Sequence, residues 1–286
     1  MLVGQRVALA GMAVSGALAA IKITAGMMGH STAVVADGLE SVGDVFASGI
    51  VLLGLTLAAK PADWDHPYGH GRVETVTGLF VGFMLVLAGL AISGNAVRLI
   101  GSTTRPLSAF VIWPLAGSAV AKGLLSSVKF HYGKKIRSAA LVADAWNDSV
   151  DILSALAALV AVSFTIVAPH RFASADHWGA FAVGLIVIFT GLRVTRDTTL
   201  QLMDTMPDPE SMTHVRNAAE TVPGVRGVEK CYARKTGLQY HVDLHLEVDP
   251  EITVRQSHVI ATQVRIVIKE TLPWVADVLV HVEPAP

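Results

Sequence analysis

Residues 31–44 read STAVVADGLESVGD, and residues 138–151 read SAALVADAWNDSVD. The two stretches repeat each other at an offset of 107 residues. The matched polar positions are Asp37, Glu40 and Asp44 in the first stretch and Asp144, Asn147 and Asp151 in the second. Positions i, i+3 and i+7 share one face of a helix, so each stretch forms a polar stripe inside an apolar segment. A charge at mid-bilayer costs at least about 2.5–3.5 kcal/mol, so the stripes predict a functional site.

The composition indicates an α-helical membrane protein. Hydrophobic residues make up 52% of the chain and charged residues 16%, with a mean hydropathy of +0.53, whereas a soluble domain carries about 25% charged residues. A spanning helix needs about 20 apolar residues. Six runs satisfy this length, at 7–28, 32–59, 75–100, 107–130, 139–168 and 177–200. We therefore predict a six-helix transmembrane domain over residues 1–206 and a soluble domain over residues 207–286.

The soluble tail alternates helical and strand patterns. The predicted elements are a helix at 208–221, strands at 225–234 and 238–248, a helix at 253–271 and a strand at 276–283. An αββαβ order with helices on one face of the sheet predicts a small ferredoxin-like α/β domain. Alternation in the second strand places His241 and His245 on the face away from the helices. We interpret His241 as solvated.

Basic residues predict the orientation. They cluster at alternate connections and at the last helix end, as Lys60, Arg72, Lys129, Lys134, Lys135, Arg137, Arg193 and Arg196. The positive-inside rule places that face and both termini in the cytoplasm. We expect the chain to lie in the inner (plasma) membrane, in contact with its lipid. The net charge of −1 gives no indication of nucleic-acid binding. The single cysteine, Cys231, excludes an intrachain disulfide.

The two stripes lie three helices apart, so their helices run in opposite directions. This is the inverted-repeat arrangement of many secondary transporters, whose sites form near the midplane. We expect Glu40, Asp44, Asn147 and Asp151 to converge there. The alternative is that they only hold the bundle together by hydrogen bonds, and Lys22 either neutralises an acid or extends towards the headgroups.

Oxygen ligands without sulfur favour a hard divalent cation such as Mn²⁺ or Fe²⁺. Zn²⁺ and Co²⁺ often recruit imidazole or thiolate ligands. A second candidate site lies between the second and third predicted helices, where residues 60–74 read KPADWDHPYGHGRVE. Asp63, His66 and His70 are spaced three and four residues apart around a Pro-Gly turn. This pattern fits either a carboxylate and imidazole metal site or a solvated loop.

These motifs resemble those of the cation diffusion facilitators, six-helix divalent-metal/proton antiporters, over essentially the full chain. The segment DHPYGHG at 65–71 is similar to the loop signature of that family, and the polar pairs of the second and fifth helices are similar to its transport site. The resemblance implies that Glu40, Asp44, Asn147 and Asp151 bind the transported ion. Zinc-transporting members usually carry His where this chain has Asn147, which weakens zinc as the sole substrate.

The resemblance also implies three features outside the transport site. Asp63, His66 and His70 form a loop metal site, and Arg72 and Asp204 form a charge pair that holds two protomers together. The tail binds metal near the dimer interface, through Glu229, His245, His258, His281 and Glu283. Glu229 here replaces a His of the family pattern, which leaves the number of metal ions open.

The predicted function is that of a homodimeric antiporter that exports a divalent metal ion in exchange for protons. Mn²⁺ or Fe²⁺ is favoured, with Zn²⁺, Co²⁺ and Ni²⁺ open, and no cofactor is expected beyond bound metal ions. Two other classes remain open. An intramembrane aspartyl hydrolase would use Asp44 and Asp151 as a proton-sharing pair, although it would have no use for the His-rich loop or tail. A membrane metal sensor would bind the ion without transporting it.

Overall fold

The computed structural model describes residues 2–58, 60–101, 106–135, 139–237 and 239–286. Side chains are described in the same ranges except at 2–8, 47–48, 51–52, 54–56, 58, 133–135 and 139–144. The predicted role of Asp144 in the second stripe therefore lies outside the described residues. The chain divides into two compact units, Met1–Ile50 with Phe80–Thr195, and Val51–Leu79 with Arg196–Pro286.

The first 202 residues form six long α-helices. They are α1 Leu2–Met28, α2 Thr32–Ala58, α3 Arg72–Leu99, α4 Ile112–Lys135, α5 Ala139–Val167 and α6 Ala175–Leu202. Within the described residues, five of them, all but α2, contain a segment long and apolar enough to cross a membrane. The predicted α-helical membrane fold is confirmed.

Glycines allow α3 and α6 to pack closely. A Cβ atom on Gly89 of α3 would lie 2.8 Å from the carbonyl oxygen of Gly184 on α6, and one on Gly191 would lie 2.8 Å from the carbonyl oxygen of Gly82. No side chain fits at such distances, so the two backbones are in direct contact. Helices in lipid associate through packing of this kind because they lack a hydrophobic driving force.

The start of α2 is held by an acid from α6. The buried carboxylate of Asp176 accepts hydrogen bonds from Ser31 Oγ at 2.5 Å, from Thr32 N at 2.6 Å and from Thr32 Oγ1 at 2.7 Å. The first N–H groups of a helix have no partner within it and must be satisfied elsewhere. Asp176 therefore caps α2 and fixes the depth at which the first polar stripe begins.

The tail contains two helices and a three-stranded sheet, in the predicted αββαβ order. Its elements are α7 Pro209–Glu220, β1 Val225–Thr236, β2 Gln239–Val248, α8 Val254–Thr271 and β3 Val275–Pro284. The strand order is β1-β2-β3, with β1 antiparallel and β3 parallel to β2. Asp208 caps α7, and Thr253 with Gln256 forms a capping box on α8. This topology fits the predicted ferredoxin-like domain.

The inward face of the sheet packs against both helices. Leu244 of β2 is 1% exposed and belongs to the same apolar core as Val215 of α7 and Ile268 of α8. The opposite face carries polar residues, because side chains alternate along a strand. The sheet thus presents its ionisable residues on one surface.

We predict that Leu244→Ala destabilises the isolated tail, residues 207–286, by about 2–5 kcal/mol through loss of apolar contacts and formation of a cavity. Denaturant unfolding followed by circular dichroism measures the change. Leu279→Ala is the matched control, because Leu279 lies on the neighbouring strand and is 69% exposed. It should change stability by no more than about 0.5 kcal/mol. Similar losses in both variants would contradict this core assignment.

Candidate metal centres

The predicted transport residues of α2 and α5 meet inside the helical bundle. Glu40 and Asp151 are 8% and 7% exposed. Ser154 of α5 donates a hydrogen bond of 2.8 Å to Glu40 Oε1. Asp44 and Asp151 converge on one cation, since Lys122 Nζ of α4 lies 3.6 Å from Asp44 Oδ2 and 2.5 Å from Asp151 Oδ2. The three acids therefore surround one region.

Asn147 lies on α5 one turn before Asp151, and its side chain is half-buried. Glu40 Oε2 is buried and has no hydrogen-bond partner within the described residues, whereas Asp44 Oδ2 has Lys122 Nζ at 3.6 Å. Buried polar atoms in folded proteins nearly always have a partner. The unpartnered oxygen of Glu40 is therefore suited to act as a ligand of a bound cation.

Buried lysines pair with the buried acids. The two polar stripes in the sequence did not predict these partners. Lys122 also contacts Asp148 Oδ1 at 3.1 Å, and Lys129 contacts Asp148 Oδ2 at 2.6 Å. On the other side of the repeat, Lys22 contacts Asp37 Oδ2 at 2.7 Å and donates a hydrogen bond of 2.7 Å to Ser41 Oγ. Lys22 thus neutralises an acid, which decides between its two predicted roles.

The prediction that Lys129 is a loop charge is wrong. Helix α4 continues to Lys135, so Lys129 lies within the helix, where it is 3% exposed and paired with Asp148. The internal repeat could have indicated that Lys129 is a buried partner of an acid. Lys22 and Lys129 are related by the same offset of 107 residues, as are their contacts Ser41 and Asp148.

A cavity of about 770 Å³ adjoins the acid cluster. Glu40 lines it at one position, and His30, Asn95 and His177 supply other polar groups among mostly apolar side chains of α1, α2, α3 and α6. The imidazole of His177 contacts Thr32 Oγ1 through Nδ1 at 2.8 Å. The cavity extends from Glu40 to the turn between α1 and α2.

The three predicted loop residues come together. Asp63 Oδ1 lies 3.3 Å from His66 Nδ1, and Asp63 Oδ2 lies 3.4 Å from His70 Nε2. One ligand atom from each residue lies within 4.8 Å of the others. The backbone N–H of His66 donates a 2.7 Å hydrogen bond to Asp63 and lowers the pKa of that carboxyl group. The loop thus presents an ionised carboxylate beside two imidazoles, a ligand set that suits a divalent cation.

The loop packs against the hairpin between β1 and β2. The ring of Tyr68 lies 5.8 Å from that of His241, and the guanidinium of Arg234 lies 5.5 Å from the Tyr68 ring centre. A Cβ atom on Gly71 would lie 2.6 Å from the carbonyl oxygen of Thr236, so only glycine fits there. His241 was interpreted as solvated; it is half-buried under this contact, and burial lowers its pKa.

Arg72 and Asp204 form the predicted charge pair within one chain. The guanidinium Nη2 lies 2.8 Å from Asp204 Oδ1, and both side chains are about half exposed. An exposed pair of this kind contributes about 0–1 kcal/mol. The pair therefore adds little to the stability of the fold, and its predicted role of holding two protomers together stays a prediction.

The parallel pairing of β2 and β3 builds the tail cluster. His245 is in register with His281, and Glu247 is in register with Glu283. Glu283 Oε1 lies 2.5 Å from His245 Nδ1 and 3.6 Å from His281 Nε2. The remaining predicted acid, Glu229, lies 4.0 Å from His245 Nδ1. His258 is exposed on α8 and lies outside the cluster found among the described residues, so its role stays a prediction.

These features define a multi-span membrane protein with a buried acidic centre and an α/β tail. Residues 8–203 match the sequence model of the cation efflux transmembrane domain, and residues 207–285 match that of the cation efflux protein cytoplasmic domain, a dimerisation domain. The chain belongs to the cation efflux family of transporters, the cation diffusion facilitators. The resemblance found in the sequence is confirmed.

Two relatives are manganese efflux system proteins of Bacillus subtilis. MneP is 32% identical over 288 residues, which cover 99% of this chain and 96% of the relative. MneS is 31% identical over 268 residues, which cover 93% of this chain and 91% of the relative. Among solved structures, a cadmium form of the MamM C-terminal domain is 32% identical, covers 27% of this chain and 98% of that domain, and has a TM-score of 0.27.

We predict that the double variant His245→Ala/His281→Ala weakens Mn²⁺ or Zn²⁺ binding by isolated residues 207–286 at least about tenfold, because it removes both imidazoles of the cluster. Isothermal calorimetry measures the affinity. His214→Ala is the control, since His214 is an exposed histidine of α7. Equal binding by wild type and the double variant would place the tail site elsewhere.

Proposed function

We propose that this protein exports a divalent metal ion across the inner (plasma) membrane in exchange for protons, acting as a homodimer with both termini in the cytoplasm. The observation that carries the proposal is the convergence of Glu40, Asp44 and Asp151 inside the bundle, on two helices related by the repeat. Membership of the cation efflux family supports it. The proposed division is a transport domain over residues 1–206 and a metal-responsive dimerisation domain over residues 207–286.

The charge of the centre supports exchange of a dication for protons. Among the described side chains, four carboxylates (Glu40, Asp44, Asp148 and Asp151) face two ammonium groups (Lys122 and Lys129), so two negative charges are left over. One divalent ion balances them, and so do two protons. Since uncompensated charge is costly away from water, departure of the metal favours proton uptake.

The proposed substrate is Mn²⁺ or Fe²⁺. The ligands at the transport centre are carboxylate oxygens and the amide of Asn147, which are hard donors. The relatives MneP and MneS, named as manganese efflux proteins, support this choice. Zn²⁺, Co²⁺ and Ni²⁺ are the competing substrates for comparison in one assay.

Membership of the cation efflux family favours transport over the aspartyl hydrolase. That chemistry would use Asp44 and Asp151 as a pair that shares a proton, and it gives no role to Lys122, which contacts both. A sensor that binds metal without moving it has no need of the cavity that leads away from Glu40. Flux measurements in proteoliposomes separate the sensor from the antiporter.

We predict that Asp44→Ala and Asp151→Ala each abolish metal-driven proton movement, because each removes a carboxylate from the transport centre. A pH-sensitive dye in proteoliposomes measures proton movement, and size-exclusion chromatography verifies the folded dimer. The control is Lys22→Met/Asp37→Asn, which removes a buried ion pair outside the transport centre as a unit and so leaves no charge unpaired. This control should keep at least about half of the wild-type rate. Wild-type rates in Asp44→Ala or Asp151→Ala would refute the assignment.

We predict that Asn147→His shifts the preference from Mn²⁺ towards Zn²⁺, because imidazole is a borderline donor whereas an amide oxygen is hard. One ligand exchange is expected to change relative affinity about tenfold, or roughly 1.4 kcal/mol. The measurement is the ratio of Mn²⁺ to Zn²⁺ transport, with wild type alongside. Asn95→His, which adds an imidazole at the cavity wall instead, is the control. An unchanged ratio would mean that selectivity is set outside position 147.

A further inference from the structure

Lys122 occupies the point on which the transport carboxylates converge. Its side chain is among the largest that are fully buried, and the residue is 2% exposed. Its Nζ atom contacts three acids: Asp151 at 2.5 Å, Asp148 at 3.1 Å and Asp44 at 3.6 Å. Two of these, Asp44 and Asp151, are proposed metal ligands. A metal ion and this ammonium group therefore compete for the same oxygens.

Among the described residues, two other buried lysines occupy equivalent positions of the repeat, whereas Lys122 has no equivalent lysine. Lys22 and Lys129 are equivalent positions that hold equivalent contacts on α2 and α5. The position equivalent to Lys122 in the first repeat is Ser15, which is also buried. Lys122 is thus an additional positive charge in only one half of the bundle. A residue needed only to join the helices would be expected in both halves.

Asp148 is a second ion-pair partner for the ammonium group of Lys122. Its Oδ2 atom is engaged by Lys129 at 2.6 Å, whereas its Oδ1 atom faces Lys122. Asp148 and Asp151 are three residues apart on α5 and therefore lie on the same helix face. A lysine side chain is long and flexible, so its ammonium group can leave Asp151 and stay paired with Asp148. The charge remains buried and compensated in both positions.

We propose that Lys122 is a tethered counter-ion of the transport site, which holds Asp44 and Asp151 when metal is absent and withdraws to Asp148 when metal binds. The inference rests on the proposed function. Lys122 stays charged throughout, and only its partner changes. In the metal-free protein its positive charge balances part of the carboxylate charge that protons would otherwise neutralise. In the metal-bound protein its repulsion weakens binding, which favours release, since a transported ion must bind weakly enough to leave.

The test is Mn²⁺ binding by the full-length protein in lipid nanodiscs. A His66→Ala/His70→Ala/His245→Ala/His281→Ala background removes the loop and tail imidazoles, so that calorimetry reports on the transmembrane site. We expect Lys122→Met to bind Mn²⁺ about tenfold more tightly, or roughly 1.4 kcal/mol, because the ammonium group that competes for Asp44 and Asp151 is gone. In proteoliposomes the same change should lower both KM and the maximal rate. Loss of a merely structural lysine would weaken binding instead.

Lys129→Met is the matched control, because it removes a buried ammonium group that contacts Asp148 from the same helix. We expect its Mn²⁺ affinity to rise by less than that of Lys122→Met, since the lost contact is with Asp148, which is not a proposed ligand and which then attracts Lys122 more strongly. If Lys122→Met does not fold, Lys122→Met/Asp148→Asn keeps the charge balance and is compared with Asp148→Asn alone. Unchanged or weaker binding after loss of Lys122 would overturn the proposal.

A parallel measurement distinguishes a wrong role for Lys122 from a wrong assignment of the transport site in the proposed function. Asp44→Asn in the same background should lose at least about tenfold in Mn²⁺ affinity, because it removes a carboxylate ligand. If it does so while Lys122→Met leaves the affinity unchanged, the transport site stands and the counter-ion role of Lys122 is wrong. If Asp44→Asn retains full affinity, the transport site itself is wrong, and the role of Lys122 with it.

Discussion

The compensation of buried carboxylates by buried lysines is the interaction on which the membrane domain depends. Asp37, Asp148 and Asp151 are each 7% exposed or less, and each contacts an ammonium group of another helix. A buried charge that loses its partner costs about 3–5 kcal/mol. The lysines therefore tie α1 to α2 and α4 to α5, and they let acids remain inside the bundle. The same ion pairs that permit the site also set its helix geometry.

The two halves of the repeat match in the lysine contacts that join their helices, and they differ at the buried acidic centre. Lys22 with Ser41 in one half corresponds to Lys129 with Asp148 in the other, so both halves brace a helix pair in the same way. The differences fall at the proposed ion site, where Glu40 corresponds to Asn147 and Ser15 to Lys122. Two halves with identical centres would place equal charge on both sides of the midplane. At the proposed site, unequal charge would give the ion different partners on α2 and α5, which suits a site that opens to two sides in turn.

The sequence predicted the helices, the tail topology and the convergence of the acids, because hydrophobic periodicity and the spacing i, i+3, i+7 are local properties. It did not predict the lysine partners. Lys129 lies next to a basic segment and resembles a loop charge until the length of α4 is known. Asp176 looks like an ordinary first-turn acid of α6, yet it caps α2, whose start is 144 residues away in the chain. Such contacts depend on how helices pack together, and a single sequence carries that information only where a repeat displays it twice.

The loop and tail clusters share one structural element, strand β2. His241 contacts Tyr68 of the loop that carries Asp63, His66 and His70, and His245 belongs to the tail cluster. The two histidines are four residues apart on one strand and so share a face of the sheet. A strand hydrogen-bonded on both sides is stiff, and here β1 and β3 flank β2. Tyr68 therefore places the loop that carries Asp63, His66 and His70 against the same flanked strand that positions His245, so the two clusters have one structural support in common.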